Sequence, residues 1–126
     1  MEAVNILASS PDSLPEFKAQ LTQCFPAFLI EHNASGDLII EAATGHVYIN
    51  QPDSEVDIEA AQLIYATLSN PIIYHVPYRG LGLLKQALTC IGNRDKLLID
   101  NNFGTLLRGH EFVKKLVNQP NWKWCE

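Results

Sequence analysis

Four histidines, three cysteines and a run of carboxylates are the residues of this 126-residue chain whose types carry chemistry. His32, His46, His75 and His110 fall on different predicted elements, with no HExxH or other helical ligand pair. Only the tertiary fold can join them into a metal or acid–base site. Cys24, Cys90 and Cys125 are odd in number and far apart, with no CxxC and no histidine at zinc-finger spacing, which argues against a disulfide framework or a structural zinc site. Cys24 and Cys90 fall near predicted helix C-termini, where the partial negative charge favours the thiol over the nucleophilic thiolate. They are expected to be small, reduced core residues, and Cys125 beside Glu126 is equally poor as a nucleophile.

Asp53, Glu55, Asp57 and Glu59 form the densest acidic group. At about 100° per residue Glu55 and Glu59 share one helical face and Asp53 and Asp57 lie nearly opposite, so the four do not converge on one metal. They either complement a helix N-terminus and solvate an outer face, or they form a docking surface for a basic protein. Gly80-Leu81-Gly82 stands between a predicted strand and a predicted helix, where backbone amides hold phosphates. Lys85 replaces the third glycine of GxGxxG and no P-loop Lys-Ser/Thr pair follows, so the glycines are expected to form a tight turn. Trp122 and Trp124 point to opposite sides if extended, and at least one should tie down the C-terminus. Arg108, Lys114, Lys115 and Lys123 make a basic group without a recognisable nucleic-acid module.

The elements that must position these residues follow from periodicity. Leu14, Phe17, Leu21 and Cys24 recur at helical spacing behind Asp12, Ser13 and Pro15, predicting a helix over 14–24 that Pro26 ends. Phe28–His32, Asp37–Glu41 and His46–Asn50 read as three strands of an antiparallel meander, separated by turn formers. A second helix is predicted over Asp53–Ser69, a strand over Ile72–Val76, a helix over Leu83–Ile91 and a strand over Lys96–Asp100. The last three suggest a right-handed parallel crossover. A short strand at Thr105–Arg108 and a helix at Glu111–Asn118 complete a single α+β domain over residues 1–126, with an antiparallel or mixed sheet of about five to six strands and about four helices.

Length allows one domain, and 47% hydrophobic with 18% charged residues is ordinary globular composition. The net charge of −5 predicts no affinity for nucleic acid or anionic lipid. It conceals a polarity along the chain. Residues 1–78 hold ten acids against Lys18 alone, a net of −9, and residues 79–126 hold eight bases against four acids, a net of +4. Met1–Ser10 has no basic n-region, its apolar residues are interrupted by Asn5, and no apolar stretch approaches the roughly 20 residues that span a bilayer. A reduced, cytoplasmic protein without membrane contact is expected.

Leu97-Leu98-Ile99-Asp100-Asn101-Asn102-Phe103-Gly104-Thr105, then Gly109-His110-Glu111-Phe112, a short helix and Pro120-Asn121-Trp122-Lys123-Trp124, resemble the ending of small bacterial immunity proteins, the antidotes of polymorphic or contact-dependent toxins. The resemblance covers roughly the last quarter of the chain. It implies a non-enzymatic protein, without cofactor or metal, that occludes a cognate toxin domain. Nuclease toxins are often basic, so the expected toxin contacts are Asp53, Glu55, Asp57 and Glu59, with Asp37 and Glu41 second. Two other readings stay open: a small enzyme using His75, Tyr78, Arg79 and Asp100 near two strand ends, and an adaptor that binds a helix or a second copy of the chain.

Overall fold

A computed structural model describes residues 2–9, 13–50, 68, 71–94, 96–102 and 104–123. In chain order these form β1 (Glu2–Ala8), α1 (Ser13–Cys24), β2 (Leu29–His32), β3 (Leu38–Ala42), β4 (Gly45–Ile49), β5 (Ile72–Arg79), α2 (Leu81–Ile91), β6 (Leu97–Asp100), β7 (Leu106–Arg108) and α3 (Gly109–Asn118). The seven strands make one sheet in the order β2-β3-β4-β5-β1-β6-β7, and every neighbouring pair is antiparallel. The α+β class stands, with seven strands in place of five to six and three helices among the described residues in place of four. The helix expected over Asp53–Ser69 lies outside the described residues, apart from Leu68.

An interior strand, β1, is the one that periodicity missed. Glu2–Ala8 pairs along its whole length with β5 and through Asn5–Ala8 with β6. Val4, Ile6 and Ala8 point to one face and are buried, while Ala3, Asn5 and Leu7 take the other. Asn5 interrupts the apolar run because it belongs to the second face, a period-two pattern that the N-terminal position disguised. This insertion also splits the expected parallel crossover. β5 and β6 run in the same direction, but both pair antiparallel with β1, which separates them.

All three helices pack on one face. Leu14, Phe17 and Leu21 of α1, Leu84, Leu88 and Ile91 of α2, and Phe112 and Leu116 of α3 share a core with Ile6, Ile40, Ile49, Tyr74 and Ile99 of the sheet. Spacing of three and four residues places each helical set on one stripe, and burial of that stripe supplies most of the helices' stability. On the opposite face Leu7 and Leu98 are covered by Leu68, flanked by Ile73 and Leu106. At the turn from β5 into α2, Gly80 adopts φ +102°, and a Cβ there would lie 2.7 Å from the Thr44 carbonyl oxygen. The glycine therefore permits the sheet's β3–β4 turn to touch the start of α2.

Candidate functional site

Three regions carry the groups that the sequence singles out. The first lies on the sheet face opposite the helices, where β5, β1 and β6 run side by side. Register places Asn5 between His75 and Asp100. His75 Nδ1 is 2.9 Å from Asn5 Oδ1, and Asn5 Nδ2 reaches Asn102 Oδ1 at 3.0 Å and Asp100 Oδ2 at 3.4 Å. Asn102 donates through Nδ2 to the Ala3 carbonyl at 2.8 Å, while its own N–H donates to Asp100 Oδ1 at 2.9 Å. The left-handed φ of 63° at Asn102 is what turns its side chain back over β1.

His75 and Asp100 are thus brought together, bridged by an asparagine that sequence reasoning passed over. The signal was present as the one polar residue within the apolar run Ala3–Ala8. His75 is exposed and Asn5 and Asp100 half-buried, so the cluster lies on an open sheet face. Tyr78 and Arg79 do not join it. Tyr78 is buried in the core and donates to Glu2 Oε2 at 2.8 Å, and Arg79 lines a separate pocket of about 530 Å³ with Glu2, Tyr78, Gly80 and Leu81. That pocket adjoins the N-terminus of α2, but the Glu2 carboxylate in its lining disfavours an anion there.

The second region is the β2–β4 meander at one end of the sheet. Glu31 and Glu41 are exposed on the face turned away from the helices. Asp37 is half-buried and belongs to the β2–β3 turn, where its N–H donates to Asn33 Oδ1 at 2.9 Å and its carboxylate accepts from Asn33 Nδ2 at 3.5 Å. Asp37 therefore shapes the turn, and Glu31, not anticipated as a contact, takes its place beside Glu41. Asp53, Glu55, Asp57 and Glu59 lie outside the described residues.

At the far end of the sheet, β6, β7 and α3 carry Lys96, Arg108, Lys114, Lys115 and Lys123 on or beside them. No Lys or Arg occurs between residues 19 and 78. Four strand spacings, about 19 Å, separate β3 from β6. That exceeds the Debye length of about 8 Å at physiological salt, so the basic end compensates the Glu31 and Glu41 carboxylates little. The nearer cation is Arg79, in register with Glu41 through His46 on the same face at two strand spacings, about 10 Å. One cross-link between the acidic and basic parts is Arg94, which pairs with Glu16 at 3.4 Å, hydrogen-bonds the Gln20 side chain and stacks over the Phe17 ring.

The third region is the junction of α1 and α2, where Cys24 and Cys90 form a disulfide. This corrects the expectation of two unpaired, reduced core cysteines. Cys24 is exposed and Cys90 half-buried, and 66 positions along the chain hid their proximity. Cys125 and Trp124 lie outside the described residues, whereas Trp122 packs on Phe112 with ring centroids 5.2 Å apart beneath Lys115. Trp122 thus ties down the segment after α3. Among the described residues, no three of His, Cys, Asp and Glu gather as metal ligands, and no helix is long and apolar enough to cross a membrane. Against family models, curated proteins and solved structures the chain gives no match in any of the three comparisons.

Proposed function

We propose that the protein is a non-enzymatic immunity protein that binds a cognate bacterial toxin domain and occludes it, acting in the cytoplasm. The partner is a basic toxin domain, with a nuclease as first candidate, and the acidic end of the sheet is the contact surface. One observation carries the reading. Glu31 and Glu41 project from the end of the sheet, inside a stretch from residue 19 to residue 78 that contains no Lys or Arg. Such a surface imitates the phosphate backbone that a basic nuclease binds, and a negative field there speeds encounter.

Asp53, Glu55, Asp57 and Glu59 belong to the same stretch without Lys or Arg and extend the proposed contact set. The test is to co-express the protein with the product of the neighbouring upstream reading frame. Recovery of a stoichiometric complex, with specific relief of that product's toxicity, is the expected result. Full toxicity in the presence of the folded protein would reject the reading.

A second reading rests on the Asn5-bridged His75–Asp100 cluster, which resembles the beginnings of an acid–base site in residue type. Chemical-shift changes confined to Asn5, His75, Asp100 and Asn102 on adding small polar metabolites would favour it over toxin binding. Among the described residues the large exposed hydrophobics, Leu29, Leu81 and Val117, lie on three different elements, which gives an adaptor reading no single apolar patch.

A further inference from the structure

The Cys24–Cys90 bond lies at the margin of the core that holds its two helices in place, and only Cys90 touches that core. α1 is anchored by Leu14, Phe17 and Leu21, and α2 by Leu83, Leu84, Ala87, Leu88 and Ile91, all of them buried. Cys24 is exposed at the end of α1, and Cys90 half-buried in the last turn of α2. Both line an open groove of about 520 Å³ with Phe25, Lys85, Gln86 and Thr89. Opening the bond therefore removes none of the buried side chains that anchor the helices. The Cys90 sulfur already lies 3.4 Å from the Gln20 carbonyl oxygen, which accepts from its S–H once the thiol is formed. Either oxidation state fits the surrounding structure.

We propose that Cys24 and Cys90 are a reversible dithiol–disulfide modification site, opened by a thioredoxin-type dithiol that attacks the exposed Cys24 sulfur. One thiolate of the reductant bonds to Cys24 Sγ and breaks the Cys24–Cys90 bond, and the departing Cys90 thiolate takes a proton. The second thiolate of the reductant then attacks its own sulfur in the mixed disulfide, releasing Cys24 as a thiolate that is protonated in turn. Two electrons pass to the protein and the reductant becomes a disulfide. Lys85 lines the same groove and brings a cation to it, which favours a thiolate leaving group there. Both cysteines occupy helix C-terminal turns, where the field opposes thiolates, so the pair is a substrate of exchange and not itself an oxidoreductase.

The bond controls one local element. Immediately after Cys24, the Phe25 N–H donates to the Leu21 carbonyl at 2.8 Å, and the Phe28 N–H to the Phe25 carbonyl at 3.1 Å. Phe25 and Phe28 stack with centroids 5.0 Å apart, and the chain enters the edge strand β2. Reduction frees the end of α1 from α2 and loosens this path into β2 without unfolding the sheet. The inference is independent of the toxin reading.

The test uses the full chain carrying Cys125→Ser, oxidised in air and then treated under native conditions with reduced thioredoxin. Expected results are joint alkylation of Cys24 and Cys90, an unchanged near-ultraviolet circular dichroism spectrum, and hydrogen exchange over residues 22–32 faster by about tenfold or more. The Cys24→Ser/Cys90→Ser variant should fold and reproduce the exchange of the reduced protein. The proposal is overturned by resistance to reduction until denaturant is added, by global unfolding on reduction or in the double variant, or by air-oxidised protein in which both thiols remain free.

Discussion

His75 Nδ1 lies 2.9 Å from Asn5 Oδ1, across the register that pairs the two residues on β5 and β1. The contact fixes a tautomer. Asn5 directs Nδ2 at two acceptors, Asp100 Oδ2 and Asn102 Oδ1, so its oxygen is the atom facing the imidazole and the histidine nitrogen must donate. Neutral His75 is therefore expected to carry its proton on Nδ1. Long-range nitrogen–proton correlation spectra check this, and a proton found on Nε2 alone contradicts the network. Asn5→Ala should cost about 1 kcal/mol in denaturant unfolding, since one half-buried asparagine is lost from a satisfied network.

Charge reversal at the acidic end of the sheet separates steering from folding. Glu31→Lys combined with Glu41→Lys should slow association with the co-purified toxin by about tenfold at low salt and flatten the salt dependence of the rate. Both side chains are exposed, so the melting temperature should hardly move. Lys114→Glu combined with Lys115→Glu, at the opposite end of the sheet, should leave the rate within about twofold. Stopped-flow binding at several salt concentrations distinguishes the outcomes. Equal effects from both pairs would remove the meander as the contact surface.

Disulfide loss should be visible in global stability as well as in local exchange. The bond closes a loop of 66 residues. Loop-closure entropy then assigns it about 4 kcal/mol of stability relative to the reduced chain. Denaturant titrations with and without reductant should show that loss as a lower midpoint with a cooperative transition retained. A midpoint that does not respond to reductant would mean that the bond does not constrain the unfolded chain.

Gly80 is a position where a single methyl should be costly. Gly80→Ala forces a left-handed residue and brings its Cβ within 2.7 Å of the Thr44 carbonyl oxygen. A loss of about 2 to 3 kcal/mol is expected in denaturant unfolding. Gly82→Ala is the control, because nothing lies within 4 Å of its added Cβ and its φ is ordinary. Gly82→Ala should be neutral or slightly stabilising, since alanine is the better helix former.

Elements built from local periodicity were legible in the residues. The predicted helices at 14–24 and 83–91 correspond to α1 and α2, and the three strands of the meander occur in the predicted order. Their signals are contained within windows of a few residues, where side-chain spacing alone decides which face is buried. The candidate site was legible only in part. His75 and Asp100 were named as a pair because both stand on strands, but the residue that joins them is Asn5, 70 positions before His75.

Sequence by itself determined the α+β class, the helical stripes of α1 and α2, and the confinement of every Lys and Arg to positions outside residues 19–78. Only the tertiary structure decided that β1 lies between β5 and β6, that Cys24 meets Cys90, and that Glu31 and Glu41 stand at the opposite end of the sheet from Lys96 and Arg108. The reason is the range of the interactions. Helical contacts join residues three and four apart, whereas strand order and disulfide pairing join segments separated by dozens of residues. Many such arrangements satisfy the same local pattern, and their relative free energies depend on packing the whole core at once.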